Sequence, residues 1–191
     1  MIIRDKIFKI HLPKPKYKVI KEIATRWSPR FYSEEKIPQK DINSIFEAAR
    51  WAPSGRNKQP WYFYHAQKPT EGYKKLFETL DPYNQNWAKT APLLILACVD
   101  LKNQPKYGEY DLGQATFSLV IQARHLGYYS RQMALFDKKK VKQIFKLGKN
   151  IEPYIIIAIG EIGDYKKASK QIIDYELDPR PRKSKICEEL I

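Results

Sequence analysis

Leu93-Leu94-Ile95-Leu96-Ala97-Cys98-Val99 carries no charged or hydrogen-bonding side chain along its length, and Ile155-Ile156-Ile157-Ala158-Ile159 repeats the pattern nearer the C-terminus. An alternating run reads as a strand with one wet face, whereas an unbroken apolar run reads as a strand covered on both faces of a sheet. The two runs are therefore the expected centre of the core. Between them, Tyr110 to Leu126 puts Leu112, Thr116, Leu119, Ala123 and Leu126 on one helical face, with the small Gly113, Ala115 and Ser118 elsewhere. Such a helix can be approached closely from several sides, as a central or interfacial helix must be. Even the wider stretches Ala91 to Val99 and Tyr154 to Gly160 are too short to cross a bilayer as helices.

Upstream, Trp61 to Ala66 reads as an aromatic-rich strand, and Glu71 to Leu80 as a helix ending at Asp81-Pro82. From Pro38 to Trp51, Ile42, Ile45, Phe46 and Ala49 form an apolar stripe, interrupted by the turn Ala52-Pro53-Ser54-Gly55. Tyr17 to Thr25 carries Val19, Ile20 and Ile23 at helical spacing and stops at Ser28-Pro29. Residues 1–16, broken by Pro13 and Pro15, read as an N-terminal arm, and 17–191 as a single domain. The tail, 165–191, shows little core-forming pattern but ends in Ile186, Leu190 and Ile191, so it reads as an arm that frays or docks on another subunit. The alternation of helices and strands predicts an α+β, three-layer arrangement around a mixed sheet.

The charge balance, 35 basic against 21 acidic side chains for a net +14, favours anionic partners without saying which. Runs such as Lys138-Lys139-Lys140 are explained by a solvated helix face. A basic nucleic-acid-binding domain is the alternative reading, because the Trp and Tyr residues could stack on bases. Two distant cysteines, Cys98 and Cys187, suggest neither a disulfide framework nor a zinc site, and a cytoplasmic location is the default. The first twenty residues offer no apolar core of signal-peptide length, and nothing reads as membrane-bound. His11, His65 and His125 pair with no Cys or Glu at ligand spacing, so no metal is assigned.

Two polar segments stand out. Arg26-Trp27-Ser28-Pro29-Arg30 places two guanidinium forks and a hydroxyl within five residues, a set suited to phosphate, although by itself the segment reads more simply as a solvated turn. Ala52-Pro53-Ser54-Gly55-Arg56-Asn57-Lys58-Gln59-Pro60-Trp61 packs the donors of Ser54, Asn57 and Gln59 into a Pro-delimited loop between helix and strand. That loop is a sensible rim for a planar heteroaromatic ligand.

The succession of these segments resembles the flavin-dependent nitroreductases. The match continues through Ala91-Pro92 and the run to Val99, through Asp111 to Gly127 as the long central helix, and through Leu126-Gly127-Tyr128-Tyr129-Ser130-Arg131-Gln132-Met133-Ala134-Leu135-Phe136-Asp137 as the flavin-facing loop. The resemblance implies a nitroreductase-like fold with a mainly antiparallel sheet and a C-terminal arm exchanged in a homodimer. It implies FMN as cofactor, NADH or NADPH as electron donor, and a small acceptor such as a nitroaromatic or quinone reduced by a ping-pong mechanism. The same fold with other flavin chemistry, dehalogenation or flavin breakdown, is a further alternative.

Position by position, the resemblance puts Arg26 and Ser28, flanking Trp27, at the FMN phosphate and ribityl oxygens, and Arg30 nearer the pyrimidine edge. Pro53, Ser54 and Asn57 would line the ring, partly from the second protomer. The backbone amides of Ala134 and Leu135 would approach the flavin N5 and O4, with Gln132 and Met133 beside them. Leu135 stands where the family usually has Gly, the residue that allows backbone to approach a cofactor most easily. In Arg180-Pro181-Arg182-Lys183-Ser184-Lys185-Ile186, two of Arg182, Lys183 and Lys185 would close over the phosphate. No Gly-x-Gly-x-x-Gly stretch is present, so the nicotinamide would share the flavin pocket. No catalytic side chain is nominated, since the cofactor performs the redox step. Asp111 reads as a helix-start carboxylate favoured by the macrodipole rather than as a substrate contact.

Overall fold

The structure, a computed structural model, describes residues 3–189. Its centre is a four-stranded sheet of β1 (Trp61–Gln67), β2 (Leu93–Asp100), β3 (Tyr129–Met133) and β4 (Ile151–Gly160), in the order β1-β2-β4-β3. All three pairings are antiparallel, so among the described residues the sheet is not mixed. The two apolar runs became the two inner strands because only these are covered on both faces. Leu93, Ile95, Ala97 and Val99 of β2 enter one hydrophobic cluster while Leu94, Leu96 and Cys98 enter the other. Burying each large aliphatic side chain in this way contributes roughly 1.5–3 kcal/mol.

Helices α3 (Gln39–Arg50) and α6 (Gly108–His125) cover the first face. α4 (Glu71–Phe77) and α7 (Lys138–Ile144) lie on the second, completing three layers. Their starts are legible chemistry. Thr70 caps α4 by accepting from the Tyr73 amide, and Asp137 caps α7 by accepting from Lys140. α6 ends at Gly127, whose φ of 98° suits glycine; the Tyr128 amide then reaches back to Ala123 O at 2.9 Å. This closure turns the chain sharply into β3 and so aims Tyr129 and Arg131.

Several expectations shift. The proposed N-terminal arm carries a helix, α1 (Ile3–Ile10), whose Ile7 is fully buried. The helix expected from Tyr17 begins only at Lys21, as α2 (Lys21–Thr25), and Val19, Ile20 and Ile23 stay exposed on the protomer. A further helix, α5 (Pro82–Ala88), follows α4, started by Asp81 accepting from the Asn84 amide with Pro82 at its first position. The segment read as a flavin-facing loop opens as strand β3. The tail is not free at its start: Tyr165 is buried, and α8 (Lys170–Glu176) packs Ile172 against Ile7, Phe31 and Trp87. The docking role expected of Leu190 and Ile191 lies outside the described residues.

Candidate functional site

Trp27 is the anchor of the first site. Its ring is buried, stacks on His11 with centroids 4.9 Å apart, and packs against Tyr129 at 4.4 Å and Phe8 at 5.4 Å. With Trp27 held, the flanking Arg26, Ser28 and Arg30 line one cleft, joined by Arg131 from β3 and by Arg180 and Arg182 from the segment after α8. Arg131 Nη1 donates to Ser28 O at 3.0 Å, and Arg26 Nη1 to Ser28 Oγ at 3.4 Å. Arg180 fastens the tail: it donates to the carbonyls of Arg26 and Ala24 at 2.7 Å and of His11 at 3.2 Å.

The buried counter-charge is Glu176, whose side chain is 1% exposed, with Asp178 at the cleft's lining. It accepts from the Arg30 amide at 2.7 Å and the Tyr165 hydroxyl at 2.9 Å, and lies 3.7 Å from Arg30 Nη1. The Arg30 guanidinium also sits over the rings of Trp87 and Tyr175. Burial and then Glu176 push the Tyr165 hydroxyl well above its ordinary value, so it remains a donor. The cleft stays strongly positive. Burial first, then the nearby Arg182, lowers the proton affinity of Arg26; burial first, then Arg30, does the same to Arg131.

Four buried nitrogens without hydrogen-bond partners belong to residues lining this cleft: His11 Nδ1, Trp27 Nε1, Arg30 Nε and Arg131 Nε. A buried donor left unpaired costs about 1–3 kcal/mol. Three of the four, Trp27 Nε1, Arg30 Nε and Arg131 Nε, are donors, and unpaired donors within a cluster of guanidinium groups are the demand that an oxyanion with several acceptor oxygens meets.

The second group, Ala134 and Leu135, lines a separate cleft beside Thr79, Asp81 and Lys140. Leu135 O accepts from Asn84 Nδ2 at 3.1 Å and from the Asp81 amide at 3.3 Å, which holds the Leu135–Phe136 peptide. Leu135 is 62% exposed and its φ is not positive, so leucine here strains nothing. Gln132 is exposed, while the Met133 side chain belongs to the core and can contribute only its backbone.

The third group, Pro53, Ser54 and Asn57, is on a loop with three left-handed non-glycine residues, Arg56, Asn57 and Gln59. Each such residue costs on the order of 1–2 kcal/mol, so the loop has to be held. Asp111, buried in the first turns of α6, accepts from the Gly55 amide with both oxygens, at 3.1 and 3.3 Å. Ser54 Oγ accepts from the Gln59 amide at 3.0 Å, and Lys58 and Asn103 exchange bonds at 2.7 and 2.8 Å. Asp111 is thus a loop anchor, a role beyond the helix-start carboxylate expected of it.

This loop does not meet the arginine cleft. It enters β1 at Trp61, level with Val99 and Glu152, whereas the cleft adjoins Tyr129, level with Gly160, on the opposite edge strand. Eight residues along β4 and three strand spacings put the two corners roughly 30 Å apart. Lys183 and Lys185 are exposed outside the cleft, Lys185 pairing with Glu188 at 2.7 Å. Sequence reasoning missed His11, Arg131, Glu176 and the role of Arg180. Treating 129–133 as a strand would have flagged Arg131, whose side chain leaves the sheet opposite to that of its neighbour Gln132.

Comparison with known proteins fits this architecture. Residues 23–161 match the model of the nitroreductase family. A protein of Archaeoglobus fulgidus, provisionally named an NADH dehydrogenase/NAD(P)H nitroreductase, is 30% identical over 181 residues, covering 89% of this chain and 97% of that protein. A similarly named protein of Methanothermobacter thermautotrophicus is 28% identical over 151 residues, 76% and 78% of the two chains. A crystal structure described as an oxidoreductase containing FMN superposes with a TM-score of 0.85 at 28% identity, covering 93% of this chain and 94% of the other. The chain belongs to the nitroreductase family.

Proposed function

We propose that the protein binds FMN and works as a homodimer that passes electrons from NADH or NADPH to a small acceptor, a nitroaromatic or a quinone, by a ping-pong mechanism. The observation that carries this reading is the concentration of unpartnered buried nitrogens in a cleft walled by arginines, which suits the terminal phosphate of FMN. Arg26, Ser28, Arg131 and Arg182 would hold that phosphate. FMN would supply the hydride-accepting ring that no side chain of the chain can supply. The amides of Ala134 and Leu135, on the segment that Asn84 holds through the Leu135 carbonyl, would donate to the ring edge.

The separation of roughly 30 Å between the cleft and the Pro53–Asn57 loop supports a two-chain site, because both cannot line one flavin within a protomer. The loop of the second protomer would complete it. Exposed Val19, Ile20, Ile23, Trp51 and Phe117 offer apolar surface for that association. No helix among the described residues is long and apolar enough to cross a membrane. A cytoplasmic location belongs to the same reading, supported by two free cysteines.

The test is the absorption spectrum of the purified protein, followed by competition of FMN and FAD for flavin-free protein. FMN is expected to win clearly, because the cationic cleft favours a terminal phosphate over a diester. Arg26→Gln should weaken FMN binding by about 1.5–3 kcal/mol, or roughly ten- to a hundredfold. Equal affinity for the two flavins, or an unaffected Arg26 variant, sinks the assignment of the cleft.

A further inference from the structure

One wall of the arginine cleft is built from residues outside the stretch 23–161 shared with the family model. His11 follows α1 and is 7% exposed, its ring nearly parallel to that of Trp27 at an interplanar angle of 13°. His11 Nε2 lies 2.9 Å from the carbonyl oxygen of Glu176, a partner that can only accept, so the ring donates there. In the neutral ring this leaves Nδ1 as a bare lone pair. Nδ1 is buried and no guanidinium N–H reaches it, although the ring forms part of the cleft wall. A protonated ring among these arginines would need a counter-charge, and an oxyanion in the cleft provides one.

We infer that His11 is an anion-binding residue of this cleft and takes up a proton when a phosphate monoester enters. The inference rests on the reading of the cleft as the FMN phosphate site, and adds to it a residue and a proton. The charges around His11 fix the sign. From the loop after α2 come Arg26 and Arg30, from β3 Arg131, from α8 Glu176, and from the tail Asp178, Arg180 and Arg182. α1 itself brings Arg4, stacked on Phe8, and α2 brings Glu22, which is occupied by exposed His125. Burial is the largest influence and lowers the proton affinity of His11, Glu176 raises it, and Arg180 and Arg30 lower it again. The ring is therefore neutral at pH 7 until a dianion offsets the arginines. Because the bound form holds the proton more tightly than the free form, anion affinity rises as pH falls through the histidine titration.

Sulfate is the probe, since it keeps both charges from about pH 5 to about pH 8, the range in which histidine titrates. Calorimetric titration of the full-length, flavin-free chain should show affinity rising by up to about tenfold for each pH unit lost within that window. At one pH, the heats in two buffers of different ionisation enthalpy should report net proton uptake. His11→Gln retains a donor for Glu176 O but cannot titrate, so its sulfate affinity should stay within a factor of about two across the range. His125→Gln should keep the wild-type slope. Should the His11 variant fold poorly, the imidazole ¹⁵N shifts of His11 in the wild-type protein report the same proton with and without sulfate. Wild-type binding without proton uptake, or an unchanged slope in His11→Gln, overturns the inference and leaves the phosphate reading standing. Failure of the wild-type chain to bind either sulfate or FMN overturns both.

Discussion

Glu176→Gln removes the buried counter-charge of the cleft while keeping its shape. The glutamine carbonyl can still accept from the Arg30 amide, and the Tyr165 hydroxyl can turn to accept from the new amide group, so both short contacts can be re-formed. What is lost is the charge opposite Arg30, with Arg131 close behind it. Removing one partner of a buried ion pair costs about 3–5 kcal/mol. Arg30 keeps 20% side-chain exposure, a bond to Tyr175 O and two aromatic faces, which soften the loss. The expected destabilisation is therefore about 2–3 kcal/mol. Urea unfolding at neutral pH measures it, with an unchanged slope showing that the two states compared are the same. Sulfate or phosphate should recover more stability in the variant than in the wild type, since a dianion replaces the missing charge. A loss below about 1 kcal/mol, the scale of an exposed pair, would refute the role given to Glu176. So would equal stabilisation of both proteins by the anion.

Two further outcomes follow from the same contacts. Deleting the residues after Asp178 removes Arg180 and its bonds to the carbonyls of His11, Ala24 and Arg26; FMN retention and dimer stability should both fall, and a truncated chain that stays dimeric and yellow in gel filtration would exclude the tail from the site. Asp111→Ala leaves the Gly55 amide without its acceptor beside three left-handed residues, for an expected loss of about 1–3 kcal/mol and weaker flavin binding, whereas Asp111→Asn should recover most of both. Indistinguishable melting of Asp111→Ala and wild type would show that the loop is held by other means.

Much of the scaffold is legible in the sequence because its causes are local. Two-sided burial requires the unbroken apolar runs of β2 and β4, a capping side chain starts α7 at Asp137, and Gly127 ends α6 where a left-handed residue is needed. The family resemblance was carried by the order of segments along the chain, from residues 26–30 and 52–61 through the run to Val99 and the helix to Gly127 to the stretch ending at Asp137, each a short local pattern. Helices α1 and α8 were not legible, since their apolar residues are few and find each other only across most of the chain, as Ile7 does with Tyr165 and Ile172. Val19, Ile20 and Ile23 stood at helical spacing, yet spacing says only that residues share a face, not what that face meets, and all three are exposed. The seven-residue tail segment from Arg180 to Ile186 offered several equivalent cations; only the fold makes Arg180 the tether, Arg182 a wall of the cleft and Lys185 a surface residue. Residue type and local pattern determined which chemistry was available, and tertiary structure decided which charges meet, because the cleft's electrostatics depend on distances between His11, Arg26, Arg131, Glu176 and Arg180 that no local interaction sets.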